Sequence, residues 1–488
     1  MSGGTKRRLP RLLAALAAAA TISGCATTGA EGGTAAARDP LEPMNRAVYE
    51  FNDAFDRAIA KPTAQAYEKV VPAFLRDMVG NAFGNVRDVW TAVNQLLQGK
   101  PGHAASDAWR VAINTTFGLA GLLDVASEAG IEKHNEDFGQ TLGRWGVPAG
   151  PYIVLPFLGP SSLRDAPARG VDLWADPLRT IDSHGQRNNA FLLRAIDDRQ
   201  RLLDAERVVS EAALDRYSFI RDSWFQLRRN QVYDGSPPAA EEDTEWRRRR
   251  RRRTRLPALR ATKGGDSMKQ PYSYSPHSRF FARFALWLLA ACTLLVVSPV
   301  RAAEAPNEMI QRLSEEVLQR INADPALKAG DPRRIDQLVD GIVMPHVDFQ
   351  RMTALAVGRS WCDATPEQRQ RLMDLFRTLL IRTYSGALSQ VGDQKVQMKP
   401  FRANAGDTDV IVRSEVVQPG REPAQLDYRL RKVGDAWKIY DVNVLGVWLV
   451  ETYRTQFAQE ASGGGVDALI RSLQQKNEQL ASGNGKAN

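Results

Sequence analysis

The residues able to do chemistry are few and poorly arranged for catalysis. A serine hydrolase wants Gly-x-Ser-x-Gly at a strand-to-helix turn. The nearest approach is Gly159-Pro160-Ser161-Ser162-Leu163, which lacks the closing glycine. No His-x-x-x-x-Asp pattern and no phosphate-cradling P-loop are present. The five histidines (His103, His134, His184, His277, His346) are scattered, and Cys25, Cys292 and Cys362 offer neither zinc spacing nor a disulfide framework. The pair Glu136-Asp137 reads as surface charge or as helix-start residues. No catalytic residue, metal ligand or cofactor site is assigned, and the chain is read as a non-enzyme.

Cys25 has a different chemistry. Lys6, Arg7 and Arg8 precede a short apolar run, Leu12–Ala20, and then Ile22-Ser23-Gly24-Cys25. The run is too short to span a bilayer and has the layout of an export signal. Small residues ahead of a cysteine resemble the lipobox of bacterial lipoproteins, which implies lipidation at Cys25. Ala26 follows where an aspartate would resemble an inner-membrane retention signal, so outer-membrane sorting is expected. The expected layout is a signal peptide over 1–24 and a tether over 25–37.

Charge excludes a further class. The 488 residues carry a net +9, but 247–283 hold 13 Lys/Arg against Asp266 alone, and 6–11 hold four more. Without those two stretches the remainder stands at −7. The folded parts are mildly acidic, which disfavours a nucleic-acid groove.

The elements of the first half are helical. Val48, Phe51, Phe55 and Ile59 recur at helical spacing, with Lys61-Pro62 as the stop. Val86, Val89, Trp90, Val93, Leu96 and Leu97 form a second stripe closed by Gly99, and Trp109, Ala112, Ile113 and Phe117 a third. Helices are also expected around 191–203 and 213–227. No strong alternation appears, so this module is read as all-α. The apolar run Gly150–Pro160, with Gly-Pro at each end, is too short to span and reads as a buried, re-entrant or interfacial segment.

Several separated motifs occur in order here: Asp39-Pro40-Leu41-Glu42-Pro43-Met44-Asn45-Arg46, Tyr49–Asn52, Glu136–Gly143, Gly150-Pro151-Tyr152, Leu155-Pro156-Phe157 and Leu163-Arg164-Asp165. Over roughly 38–235 the chain resembles the MlaA (VacJ) family of lipoproteins. The resemblance implies a helical ring lying in the outer membrane, an amphipathic channel, and a trimeric outer-membrane porin as partner.

Residues 236–267, with Pro237-Pro238 and the run Arg247–Arg253, have the composition of a disordered linker. Export logic then restarts. Met268-Lys269, Arg279 and Arg283 precede Phe284–Val297, and Val300-Arg301-Ala302 resembles a cleavage site. Residues 268–303 read as an internal signal peptide, with a membrane helix as the alternative. Cleavage after Ala302 or Ala303 would release a free second module.

That module mixes periods. Ile310, Leu313, Val317 and Ile321 share a helix face, and Thr365-Pro366-Glu367-Gln368 is a capping box. Beyond Gln394 the period is two: Val410, Val412 and Val416, then Leu426, Tyr428 and Leu430. Trp437 and Ile439 point opposite to Tyr440, Val442 and Val444, so either both faces are buried or a bulge intervenes. Helices followed by close-spaced strands give α+β with an antiparallel sheet.

Gly358-Arg359-Ser360-Trp361, Thr365–Gln368, Trp437–Val442, Gly446–Val450 and Tyr453–Phe457 resemble the MlaC (Ttg2D) family over roughly 304–478, with 479–488 as a disordered tail. The family pattern usually has a small residue where Trp448 stands. The resemblance implies a periplasmic carrier whose curved sheet and helices enclose a lipid pocket, with phospholipid as cargo. Tyr428, Leu430, Val442 and Leu449 are the candidate lipid-binding residues. It also implies an inner-membrane MCE-domain ABC transporter as partner. Together the resemblances imply intermembrane phospholipid transport that maintains outer-membrane lipid asymmetry, from the outer membrane through the periplasm. A phospholipase or acyltransferase, and a purely structural porin-associated lipoprotein, are the rival readings.

Overall fold

The computed structural model describes residues 39–238, 304–388, 394–404, 406–417 and 424–483. Cys25, the Arg247–Arg253 run, the 268–303 segment and the 484–488 end of the tail lie outside the described residues.

The first module is built from α1 (Glu42–Phe55), α2 (Lys61–Val70), α3 (Ala73–Leu97), α4 (Pro101–Thr116), α5 (Val125–Glu128), α6 (Phe138–Arg144), α7 (Asp165–Ala175), α8 (His184–Arg201), α9 (Leu203–Ala212) and α10 (Arg216–Val232). The expected stop at Lys61-Pro62 does not end the rod. A π-turn over Asp56–Ala60 joins α1 to α2, and Pro62 sits in the first turn of α2, where its missing N–H costs nothing.

The module is helical as expected, with one addition. Part of the apolar run forms an antiparallel hairpin, β1 (Tyr152–Leu155) on β2 (Gly159–Ser162). Four paired residues between prolines were too few for an alternation to show. Asn45 fastens the free edge of β1. Its Nδ2 donates to Tyr152 O (2.9 Å) and its Oδ1 accepts from Val154 N–H (2.9 Å). Phe157, in the turn, has φ 61°, a strained value for a side chain of that size. Its N–H donates to Asn52 Oδ1 (2.8 Å), and its ring meets Phe51 and Phe55 edge-on at 5.2 and 5.0 Å, which holds it there.

The second module starts with α11 (Pro306–Ala323), α12 (Pro325–Lys328), α13 (Pro332–Leu338), α14 (Phe349–Val357), α15 (Ser360–Asp363) and α16 (Pro366–Leu388). The capping box forms as read: Thr365 N–H donates to Gln368 Oε1 (3.0 Å) and Gln368 N–H to Thr365 Oγ1 (3.2 Å). A five-stranded antiparallel sheet in chain order follows: β3 (Lys395–Met398), β4 (Asp409–Val417), β5 (Ala424–Val433), β6 (Ala436–Val444) and β7 (Val447–Trp448). Helices α17 (Leu449–Ser462) and α18 (Gly465–Ala481) close the module.

The phase problem on β6 resolves as a bulge. Tyr428 pairs with Val442 and Arg429 with Asp441, but Leu430 pairs with Ile439, so Tyr440 is the extra residue. Ile439, Val442 and Val444 therefore share the face of Leu430, Tyr428 and Leu426.

The modules pack against each other. Ala212, Ala213 and Phe219 enter the same buried cluster as Tyr453, Phe457, Leu469 and Leu473. Trp448 N–H donates to Gln226 Oε1 (2.8 Å), Gln226 Nε2 to Thr452 Oγ1 (2.9 Å), and Leu214 N–H to Gln456 Oε1 (2.8 Å).

Asp441 pins this region. Its Oδ1 accepts from Val442 and Val450 N–H (2.9 and 3.0 Å) and its Oδ2 from Arg429 Nη1 (3.1 Å). Burial pushes its carboxyl up to about 6, against the opposing pull of Arg429. A folded pKa above the unfolded one means the native state holds an extra proton between pH 4 and 6, so this group's contribution falls as pH rises through that window and is flat above it. Asp441→Asn keeps an acceptor but cannot titrate. The stability of wild type relative to Asp441→Asn is expected to drop between pH 4 and 6, measured by denaturant titration. A difference that stays constant across the window would contradict this assignment.

Candidate functional site

The first module has its polarity reversed. The buried residues of α3 are Gly84, Asn85, Asp88, Thr91, Asn94 and Gln95, and those of α4 are Ala104, Asp107, Arg110 and Asn114. On α1 the buried residue is Asn45, and on α8 it is Asp197. The apolar stripes read from the sequence do exist, but they face outward. Phe51, Ile59, Val89, Val93, Leu96 and Leu97 are exposed, Trp109 by 65%, Phe117 by 71% and Trp174 by 74%. Periodicity finds a face without saying which solvent it meets.

Three ion networks fill the interior. Arg110, wholly buried, donates from Nη2 to both oxygens of Asp124 (2.9 Å each) and from Nη1 to Ile131 O (2.5 Å), with Asp88 at 3.7 Å from Nε. Asn114 donates to Asp124 (2.9 Å) and accepts from Ala126 N–H (2.9 Å). In the second network Asp39 accepts from Asn45 Nδ2 (2.8 Å), Tyr217 OH (2.5 Å) and Arg221 Nη1 (3.4 Å). The third centres on Arg228, whose two Nη groups donate to Asp137 (2.7 and 2.6 Å) while Nη2 also reaches Asp165 (3.1 Å). Arg164 Nε shares Asp165 at 2.9 Å.

Five of the motif residues that carried the first resemblance, Asp39, Asn45, Asp137, Arg164 and Asp165, sit in the second and third networks; the Arg110 network holds none of them. The reading of Glu136-Asp137 needs division. Asp137 is a helix-start residue, accepting from Gln140 N–H (2.8 Å) at the head of α6. Glu136 is not surface charge: it is buried, and accepts from Gln98 Nε2 (2.7 Å) and Lys100 Nζ (3.3 Å). Sequence inspection did not place Arg110, Arg221 or Arg228; a lone arginine inside an amphipathic helix carries no mark of burial.

In the second module, Tyr428, Leu430 and Val442 come together on one sheet face. Leu430 is 0% exposed and packs with Val412, Ile439 and the α11 residues Met309, Ile310 and Leu313, while Tyr428 and Val442 flank this cluster. Burial pushes the Tyr428 phenol up to about 12, with Ser314 and Ser414 in hydrogen-bond reach. Leu449 does not join them; it opens α17, half-buried. The α11 stripe of Ile310 and Leu313 is what covers this apolar face, a partnership that helical spacing alone does not reveal.

Among the described residues, no helix is long and apolar enough to cross a membrane, and no three His, Cys, Asp or Glu side chains could hold a metal.

Residues 37–231 match the family model of the MlaA lipoprotein, and residues 311–475 that of the MlaC protein. The intermembrane phospholipid transport system lipoprotein MlaA of Escherichia coli K12 is 33% identical over 236 residues, 92% of its length and 47% of this chain. Its Shigella flexneri counterpart is 34% identical over 239 residues, 92% of its length and again 47% of this chain. The chain belongs to the MlaA lipoprotein family, continued by an MlaC-family module. Among solved structures, a phospholipid-binding protein from Ralstonia solanacearum, in complex with a phospholipid, is 47% identical, covering 36% of this chain and 99% of that one, with a TM-score of 0.36. A chain from a study of the maintenance of bacterial outer membrane lipid asymmetry is 30% identical, covering 40% of this chain and 98% of that one, with a TM-score of 0.36.

The MlaA module's reversed polarity sets an asymmetric response to substitution. Arg110→Ala strands Asp88 and Asp124, and removing one partner of a buried ion pair costs about 3–5 kcal/mol. Val93→Ala, on the exposed stripe, is expected to stay within about 0.5 kcal/mol. Protease resistance of the chain in detergent checks the contrast; equal losses would show that the interior network is not what holds the module.

Proposed function

We propose that the chain moves phospholipid between the membranes of a diderm envelope and so maintains outer-membrane lipid asymmetry. The observation that carries this reading is the reversed polarity of the MlaA module. Exposed Trp109, Phe117 and Trp174 surround an interior of Asn, Asp, Thr and Arg, an arrangement suited to lipid outside and a polar passage inside. Buried atoms without a hydrogen-bond partner on the inner row, at Asn85 and Gln95, support such a passage. The first module, acylated at Cys25, lies as a helical ring in the outer membrane beside a trimeric porin and takes phospholipid from the outer leaflet. The second carries it through the periplasm toward an inner-membrane MCE-domain ABC transporter.

The cargo chains lie between the apolar sheet face and α11, where Tyr428, Leu430 and Val442 meet Met309, Ile310 and Leu313; Leu449, at the head of α17, stands apart from this face. Because α11 packs directly on this face, lipid entry requires α11 to move off the sheet. No bond is made or broken, no cofactor is involved and no nucleic acid is bound. The boundaries proposed are 1–24 signal, 25–37 tether, 38–235 lipoprotein module, 236–267 linker, 268–303 internal signal, 304–478 carrier and 479–488 tail, with the internal signal cleaved.

Lipid extraction from the envelope-purified protein, with N-terminal sequencing of any carrier-sized band, tests both parts. Phospholipid is expected with the carrier band, beginning at Ala303 or Glu304, and Val442→Trp is expected to lower the load at least about threefold. A folded carrier consistently free of lipid would overturn the transport reading, and a single uncleaved species the boundary.

A further inference from the structure

Between α5 and α6 the chain crosses the α3–α4 hairpin as an irregular strap, residues 131–137, which forms neither helix nor strand. Side chains of the hairpin hold its backbone. Ile131 O accepts from Arg110 Nη1 (2.5 Å), and Glu136 N–H donates to Thr91 Oγ1 (3.5 Å). The strap's own side chains reach back. Glu136 accepts from Gln98 and Lys100, and Lys133 lies so close on α3 that a Cβ at Gly84 would meet its Nζ at 2.8 Å. The strap ends on Asp137, which pairs with Arg228 of α10. It therefore joins the Arg110 network to the Arg228 network.

One contact of this strap titrates near neutral pH. His134 Nδ1 lies 2.9 Å from Asp107 Oδ1, with the ring half-buried and the aspartate wholly buried. Asp107 Oδ2 is buried without a hydrogen-bond partner, so charge on the ring offsets a carboxylate that water does not reach. The His103 ring, also from α4, stacks on His134 at 4.6 Å with 17° between the planes, which fixes the imidazole's orientation. The titratable groups facing the ring are thus Asp107 and His103 from α4 and Glu132 and Glu136 from the strap. Around Asp107 stand Asp88 of α3, Arg110 of α4, Lys133 of the strap and Asp124 ahead of α5. The Asp107 hydrogen bond, aided by Glu132 and Glu136, holds the His134 imidazolium above the ordinary histidine range against the opposing pull of burial.

We propose that the 131–137 strap is a pH-sensitive latch, closed on α4 by protonated His134 against Asp107 and loosened when that proton passes to water. The latch is independent of the cargo, and what it controls is the tie between the α3–α4 hairpin and α10. The raised value fixes the sign. The latch contributes in full below the unperturbed histidine value of about 6.5, and its contribution is lost as pH rises through the higher folded value. Burial pushes the Asp88 carboxyl up to about 6 and raises that of Glu136, so these groups also lose stability as pH rises. Both remain in variants at His134 or Asp107, so a comparison with those variants removes their share.

Hydrogen exchange read by mass spectrometry, on the purified full chain in detergent between about pH 6.5 and 9, tests the latch. Exchange of the 131–137 amides is corrected for intrinsic rate and referred to the α3 amides of the same sample. Strap opening in the wild type is expected to rise at least about threefold across this range. His134→Gln keeps a donor but cannot titrate, and is expected to flatten the rise. Asp107→Asn, which removes the charge that holds the proton, is expected to flatten it as well, and it decides the matter should His134→Gln not fold. A wild-type strap whose opening is constant across the range would overturn the proposal. So would an undiminished rise in either variant, folded by circular dichroism.

Discussion

The constraint on which the first module depends is that a set of its charged groups, Arg110, Arg221, Asp39 and Asp165 among them, is inside while many of its large apolar groups are outside. An isolated ion transferred from water to a protein interior is costly, and the cost is offset only by a close partner and satisfied hydrogen bonds. Arg110 with Asp124 and Asp88, Arg221 with Asp39 and Asp222, and Arg228 with Asp137 and Asp165 meet that condition. Each joins elements distant in sequence. Asp39 ties the head of α1 to α10, and the Asn45 amide ties α1 to the hairpin edge. Polar bonding here carries much of what an apolar core does elsewhere, beside the small cluster of Tyr152, Val154 and Tyr217, which leaves the apolar stripes free to face outward.

The second module follows the ordinary rule. Its sheet buries one apolar face under α11, and a second apolar cluster, centred on Phe376, Tyr453 and Phe457, holds the long helices together. The Tyr440 bulge separates two duties. It lets Ile439 and Val442 face the same core despite odd spacing, and it turns Tyr440 toward the opposite side, where the first module docks. Asp441, next to the bulge, receives backbone N–H groups from both β6 and α17, so the sheet and the docking helix are fixed by one carboxylate.

Much of this was legible in the sequence. The helix stripes, the capping box at Thr365, the strand alternation from Val410 to Leu430 and the order of the two modules follow from local period and local capping chemistry, which the chain displays openly. Part of the first resemblance was carried by residues, Asp39, Asn45, Asp137, Arg164 and Asp165, that turn out to belong to the polar networks of the first module. What was hidden depends on the surroundings. Period 3.6 at Val89, Val93 and Leu96 is the same whether the stripe meets a core or a bilayer. The hairpin at Tyr152–Ser162 depends on an asparagine over a hundred residues away, and no local pattern announces such a partner. Tyr428, Leu430 and Val442 could be grouped by alternation once the bulge was allowed. Leu449 could not, because it begins a helix rather than extending the strand.

The central claim is that the outward apolar surface of the first module is covered by lipid chains. Tryptophan quenching by brominated phospholipid reads this directly. In full-length variants retaining a single tryptophan, reconstituted in bilayers, Trp109 and Trp174 should be strongly quenched and blue-shifted, while Trp448, buried where the modules meet, should not. Water-like emission with no quenching from both Trp109 and Trp174, in protein that remains bound to the vesicles, would contradict it.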